Sequence, residues 1–199
     1  MIKRSYKKPD KIFAGIGNRD TPTVFANQLT AAGKRLFKEQ GWWWATGGNG
    51  NADNACMSVS MCGYVYPPWE RFNGFPMRWP LPRTAFDKAK EYCPYWDSMS
   101  KGARALHARN MQVIAGPYVD YNDRVDLVIC YTRDGCENKA TYSKQTGGTG
   151  TAICFASDLD IPVVNLANPK SMEYLSIFTG VDMLDLELPK EAYFVNTAF

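Results

Sequence analysis

Lys11-Ile-Phe-Ala-Gly-Ile-Gly-Asn-Arg-Asp-Thr-Pro22 is an apolar run of strand length that empties into a glycine-containing turn. Residues 11–16 are therefore expected to form a buried strand, with Gly15 and Gly17 at its exit. Downstream, Phe25, Leu29, Ala32, Leu36 and Phe37 recur at helical spacing over residues 23–40, and Gly41 stands where a helix end places its glycine. Residues 42–45, Trp-Trp-Trp-Ala, are bulky and contiguous and read as a second strand, which enters the turn Thr46-Gly-Gly-Asn-Gly-Asn-Ala-Asp53. Strand, helix and strand in that order favour parallel pairing, because parallel neighbours need a crossover and the crossover is usually a helix. The expected fold class is α/β: Rossmann-like, with a mainly parallel sheet and helices on both faces.

The rest of the chain extends this alternation. Residues 51–61 read as a small-residue helix and 63–66 as a short third strand. Residues 67–82 carry five prolines together with Trp69, Phe72, Phe75 and Trp79, so an ordered, aromatic loop without regular structure is expected there. Helical patterns resume over 84–92 and 100–115, a fourth strand over 126–131, a helix over 151–159 and a fifth strand over 161–166. Residues 132–146 are polar and aperiodic. After Pro169, residues 171–178 look helical and 192–195 are apolar enough to pair at a sheet edge. There is no internal repeat, and residues 1–199 are expected to form one domain.

Bulk composition narrows the function classes only modestly. The 199 residues are 45% hydrophobic, enough for one substantial core, and the formal charge of +3 neither demands nor excludes nucleic acid. The six cysteines contain no CxxC pair and accompany a single histidine, which makes a zinc site a poor expectation and reduced thiols a good one. The basic start lacks the apolar core of a signal peptide, and no run approaches the ~20 apolar residues needed to span a bilayer. A cytoplasmic protein with no membrane partner is expected.

Three glycine clusters carry the functional reading: Gly15/Gly17, Gly47/Gly48/Gly50 and Gly147/Gly148/Gly150. Each falls where a strand passes toward a loop or helix, where glycine permits unusual dihedrals and close approach of a ligand, and where helix N-H groups favour an anion. None matches the full dinucleotide fingerprint or the P-loop. Three turns at the carboxyl ends of parallel strands nevertheless converge on the side where open α/β sheets bind ligands. Arg19 and Arg109 are the expected phosphate cations, since a guanidinium can bond two oxygens at once. Asn18, Asn49 and Asn110 can read a base or ribose edge or support turns. Asp53 reads as a ribose contact or a helix cap. Thr149 and Thr151 complete the third turn, and Trp69 can close over a ring or pack its loop. His107, without a second histidine, reads as structural, and Trp42 to Trp44 as core.

Four blocks resemble a known family. Gly17-Asn-Arg-Asp-Thr-Pro, Thr46-Gly-Gly-Asn-Gly-Asn-Ala-Asp53, His107-Ala-Arg-Asn-Met-Gln-Val-Ile-Ala115 and Gly147-Gly-Thr-Gly-Thr151 resemble, in that order, the Rossmann domain of the DNA-processing protein A (DprA/Smf) family. More closely, the chain looks like the short DprA-like proteins of tailed phages, with their Tyr-Pro-Pro-Trp-Glu-Arg-Phe-Asn-Gly loop at residues 66–74. The similarity covers residues 12–167. Both groups belong to the SLOG superfamily, which the resemblance associates with nucleotides, nucleotide-derived signals or single-stranded DNA. The last block also resembles the Pro-Gly-Gly-x-Gly-Thr-x-x-Glu motif of the LOG phosphoribohydrolases, with Thr146 at the proline and Cys154 at the glutamate. The missing carboxylate removes that branch's acid/base group. No counterpart of the DprA winged-helix module follows residue 167 and no helical domain precedes the Rossmann unit, so a full recombination mediator is not expected.

The leading expectation is a protein that captures or senses a phosphate-bearing nucleotide derivative without turnover. A cyclic or ADP-ribose-like immune signal, sequestered in the host cytoplasm by a phage-encoded sponge, is what the resemblance implies. No cofactor is required, and the resemblance implies a homo-oligomer. The alternatives are single-stranded DNA binding through Arg19, Lys101, Arg104, Arg109 and loop aromatics, and LOG-like hydrolysis of nucleoside monophosphates. A reactive Cys154 thiol would need a depressed pKa.

Overall fold

The computed structural model describes residues 9–194. Five strands, β1 (Ile12–Gly17), β2 (Trp43–Thr46), β3 (Gly63–Val65), β4 (Leu127–Tyr131) and β5 (Val163–Asn165), form one sheet in the order β3-β2-β1-β4-β5. Every pairing is parallel, with Phe13 opposite both Trp44 and Leu127 in the central registers. The expected Rossmann-like α/β fold is what the chain adopts.

Seven helices cover the sheet: α1 (Thr23–Gln40), α2 (Asn51–Met57), α3 (Arg83–Glu91), α4 (Lys101–Ala115), α5 (Gly150–Asp158), α6 (Ser171–Thr179) and the short α7 (Glu191–Phe194). Alternation along the strands divides two cores. Ile12, Ala14 and Ile16 face α3, α4 and α5, whereas Phe13, Leu127 and Ile129 face α1, α2 and α6. β4 is buried at all five positions, as a strand covered on both faces must be. The tryptophan triplet obeys the same geometry. Trp42 and Trp44 are buried, with ring N-H groups donating to Gln40 Oε1 at 2.8 Å and the Ser60 carbonyl at 3.0 Å, while Trp43 turns to the opposite face against Tyr64. Burying rings of this size contributes on the order of 2–3 kcal/mol each.

Several boundaries differ from the expectation. The helix expected over 51–61 ends at Met57, because Ser58 and Val59 fold their N-H groups back onto the last carbonyls and Val59 enters the core beside Gly33. The aperiodic stretch after β4 is built from two 3-10 turns, Lys139–Thr141 and Lys144–Thr149, each opened by a reciprocal capping box from Asn138 and Ser143. The apolar end at 192–195 does not pair at a sheet edge in its described part. It forms α7, whose Tyr193 ring packs 5.9 Å from Phe25, and Val195 lies outside the described residues. An aromatic platform on α1 captures that segment before a sheet edge can. No helix among the described residues is long and apolar enough to cross a membrane.

Candidate functional site

Between β1 and β4 the strand order reverses, because the chain lays β2 and β3 on one side of β1 and then returns to lay β4 and β5 on the other. Carboxyl ends of strands at such a reversal diverge and leave a crevice. A cleft of about 510 Å³ opens there. Its walls are the turn after β1 (Gly17 to Asp20), Asn49 and Asp53 around the start of α2, one stripe of α4, and the loop entering α5 (Gly147 to Thr149).

The turn after β1 is tight for steric reasons. A Cβ on Gly17 would lie 2.7 Å from both Ala52 Cβ and Thr21 Oγ1, and the Asn18 carbonyl accepts from the Thr21 N-H and hydroxyl at 3.0 and 2.7 Å. Asn18 Oδ1 accepts from Thr149 Oγ1 at 3.1 Å, which fastens the first turn to the last. Arg19 follows, exposed, with no side-chain hydrogen bond or ion pair among the described residues. Asp20 is neutralised by Arg133 at 2.5 Å across the rim.

Beneath the cleft lies a buried ion pair. Asp53 Oδ1 accepts from the Gly47 N-H at 2.9 Å and stands 2.9 Å from Thr46 Oγ1 and 3.5 Å from Arg109 Nη1. The Arg109 and Asp53 side chains are only 8% and 4% exposed. Burial pushes the Asp53 carboxyl up and the Arg109 guanidinium down, against their mutual attraction. Gly47 makes the pair possible, since a Cβ there would fall 0.8 Å from Arg109 Nη1. One donor is left over: Arg109 Nε is buried and has no hydrogen-bond partner among the described residues. In a native interior such a group calls for an explanation.

The α4 wall presents Ala103, Leu106, His107 and Asn110, the i, i+3, i+4, i+7 stripe of one helix face. Asn110 Nδ2 donates to the Gly148 carbonyl and to Thr151 Oγ1, both at 3.1 Å, and the Thr151 hydroxyl donates to the Gly148 carbonyl at 3.2 Å. His107 Nδ1 lies 3.1 Å from the same oxygen, a hydrogen bond in which the ring nitrogen donates in one tautomer and accepts in the other. Burial, and then the Arg109 charge, hold the His107 pKa below its ordinary value, which keeps the ring neutral.

The loop entering α5 is held from behind. Ser143 Oγ and Thr146 Oγ1 donate to Asp134 Oδ2 at 2.6 and 2.5 Å. Burial raises the Asp134 pKa, but these bonds, with those from Thr132 and the Cys136 N-H, outweigh it and hold the carboxyl below its usual value. Thr146 therefore works as an anchor for the loop. Gly147 then takes φ +66°, the left-handed backbone that favours glycine, with Asn18 Oδ1 3.7 Å from where a Cβ would stand.

Ten of the sequence-expected site residues meet at this cleft: Gly17, Asn18, Arg19, Asn49, Asp53, Arg109, Asn110, Gly147, Gly148 and Thr149. Gly15, Gly47, Gly48, Gly50, Gly150 and Thr151 stand behind its walls and serve packing. Gly15, for example, makes room for Cys56, and Gly150 for Tyr142. Trp69 is not on the wall, but its ring lies over the first turn of α4, 3.9 Å from where a Gly102 Cβ would stand. Ile16, Asp20, Ala103 and Leu106 were missed, and His107 was read as structural. The helical stripe on α4 is the signal that finds three of the five.

Cys154 does not reach the cleft. It is buried on α5, and burial pushes its thiol up to about 11, so the reactive thiolate considered from the sequence is not formed at neutral pH. Of the cations expected to follow single-stranded DNA, Arg19 and Arg109 line this cleft, whereas Arg104 donates to the Trp96 and Asp97 carbonyls at 2.9 Å in a different depression that it shares with Lys101. Among the described residues no three His, Cys, Asp or Glu side chains converge as a metal site would require, and all six cysteines are free. No family model, curated protein or solved structure matches this chain.

Proposed function

We propose that the chain is a SLOG-type, DprA-like binding protein that holds a phosphate-bearing nucleotide derivative in the β1/β4 cleft without turning it over. The observation that carries the proposal is the cation arrangement. Arg109 reaches the cleft wall from its buried pair with Asp53, and Arg19 stands on the rim with no ion pair among the described residues. An anion with several oxygens is the ligand chemistry that suits two guanidinium groups on one cleft. The glycine turn at Gly147 and Gly148 supports the same end, because backbone without side chains can approach a phosphate closely at a helix start. His107 and Asn49 offer an imidazole and an amide to ribose or base.

Capture is favoured over cleavage by what surrounds the anion position. Asp53 is committed to Arg109, Asp20 to Arg133, and position 154 carries a buried neutral thiol in place of the LOG carboxylate. A cyclic or ADP-ribose-like signal sequestered by a phage protein is the biological form of this proposal. Isothermal titration against linear and cyclic nucleotides and ADP-ribose tests it. At least one member is expected to bind with one site per chain, and failure of every member at high-micromolar concentration overturns it. Gel shifts with single-stranded oligonucleotides are expected to stay negative at low salt, since the four cations that DNA would need fall into two separate depressions, Arg19 with Arg109 and Lys101 with Arg104.

A further inference from the structure

The α4 stripe is graded. Asn110 and His107 lie toward the loop entering α5, and Ala103 and Leu106, the latter directly preceding His107, lie toward the helix start. Leu106 is half-buried on the cleft yet packs into neither hydrophobic core, unlike the other large aliphatic residues of the central helices. An aliphatic side chain kept out of both cores and facing a cleft is an apolar floor without a cover.

A cover is built next to it. The loop over residues 67–82 is ordered around a tight turn in which Arg71, Asn73 and Gly74 take φ +61°, +49° and +85°, and Phe72 bridges Phe75. Left-handed backbone at non-glycine residues costs about 1–3 kcal/mol each and persists where surrounding contacts demand it. The contacts are specific. Asn73 Nδ2 donates to the Gly48 carbonyl at 2.8 Å, and Phe75 packs against Gly48. The Trp69 ring meets Phe72 edge to face at 4.9 Å and rests above Gly102, which shares a helix face with Leu106 one turn on. Trp69 remains 42% exposed, so one ring face is still available.

We infer that Ala103 and Leu106, under the Trp69 edge, form a subsite for the planar ring of the ligand, which fixes the ligand's orientation with its anion at Arg109 and Gly148. The inference rests on the proposed function, and it adds that the protein selects ring-bearing phosphates over ring-less ones. Stacking on an indole and burial against leucine are sequence-tolerant contacts, so the subsite demands a flat ring and leaves its hydrogen-bonding edge to His107 and Asn49.

The test compares four nucleoside 5′-monophosphates and ADP-ribose with ribose 5-phosphate and inorganic pyrophosphate by calorimetry, using wild-type protein, Leu106→Asp, Ala103→Trp and Trp69→Ala. The best ring-bearing probe is expected to bind roughly tenfold or more tightly than ribose 5-phosphate. Trp69→Ala should remove most of that margin while leaving ribose 5-phosphate affinity within about twofold, and Leu106→Asp and Ala103→Trp should weaken the ring-bearing probe by a larger factor than ribose 5-phosphate. All three positions lie outside the cores, and unchanged far-UV circular dichroism verifies that each variant folds. Binding should also quench tryptophan fluorescence in wild type and lose the quench in Trp69→Ala. If ribose 5-phosphate binds as tightly as every ring-bearing probe, or if the variants weaken both classes equally, the ring subsite is wrong and the proposed function stands. If no probe binds, both fall.

Discussion

Arg109 carries two burdens that pull in opposite directions. Its charge is desolvated by the interior, and the single long contact with Asp53 satisfies only part of its donor set. Removing it strands a carboxylate in the protein, so Arg109→Leu is expected to destabilise the fold by about 3–5 kcal/mol, whereas Asp53→Asn combined with Arg109→Leu should cost less than the sum of the single changes. Denaturant unfolding of the four proteins in the cycle measures this. Arg19 is the contrasting case. It supports nothing else among the described residues, so Arg19→Ala should leave the unfolding midpoint in place while weakening the nucleotide by roughly tenfold, the scale of a lost charged hydrogen bond. A midpoint shift comparable with that of Arg109→Leu would show that Arg19 is structural. His107, the single histidine of the chain, gives a pH signature. Because burial lowers its folded pKa, the unfolded chain takes up the proton first as pH falls. Its contribution to stability is therefore complete above its ordinary 6.5 and is lost as pH drops through the lower folded value. The His107→Gln variant should lack that segment of the stability profile, as read from urea midpoints across the acid side of neutrality.

At the level of elements, legibility followed the strength of local pattern. α1 was readable to the residue, because its apolar spacing is unbroken and Gly41 closes it at φ +70°. β4 was readable because continuous apolar runs suit only a strand buried on both faces. α2 was overextended, since residues 58–61 look as helical as those before them, and only the Ser58 and Val59 back-bonds decide where the turn ends. The loop between β4 and α5 resisted for a different reason. Its order comes from side chains gripping Asp134, and nothing in hydrophobic periodicity records a hydrogen-bonded hub. The cleft was legible through glycines, but about half of those glycines proved to be spaces for a neighbour: Cys56, Arg109, Arg19 backbone or Tyr142. A glycine beside a strand end signals close approach, and sequence cannot say whether a ligand or the protein itself approaches.

The whole molecule links these parts through one sheet whose central strand leads directly into the cleft. The segment after α6 is strapped back across α1 by Gln28 to the Leu186 carbonyl at 3.0 Å and by Arg35 to the Asp182 carbonyl and the Asp185 carboxylate. A ligand that ties the β1, β2 and α5 loops together therefore acts on an already connected body, and its binding free energy should appear as global stability. At a hundredfold excess over Kd the gain is about 2.7 kcal/mol, which corresponds to a rise in Tm of roughly 5–10 °C for a chain of this size. Thermal scans with increasing concentrations of the best nucleotide check it, and a Tm indifferent to a ligand that calorimetry shows to bind would mean that the cleft opens independently of the sheet.

The void at Gly47 that admits the Arg109 guanidinium also sets a rule for how this protein can change over time. Any side chain at 47 collides with the arginine, and any shorter residue at 109 leaves both a hole and a lone Asp53. Positions 47, 53 and 109 are thus one inherited unit: descendants that abandon the arginine are released to fill position 47 and to neutralise position 53, and those that keep it are not. Read across other chains of this architecture, that three-way association separates proteins retaining the buried cation from those that have given it up, even where the surrounding glycine turns look the same.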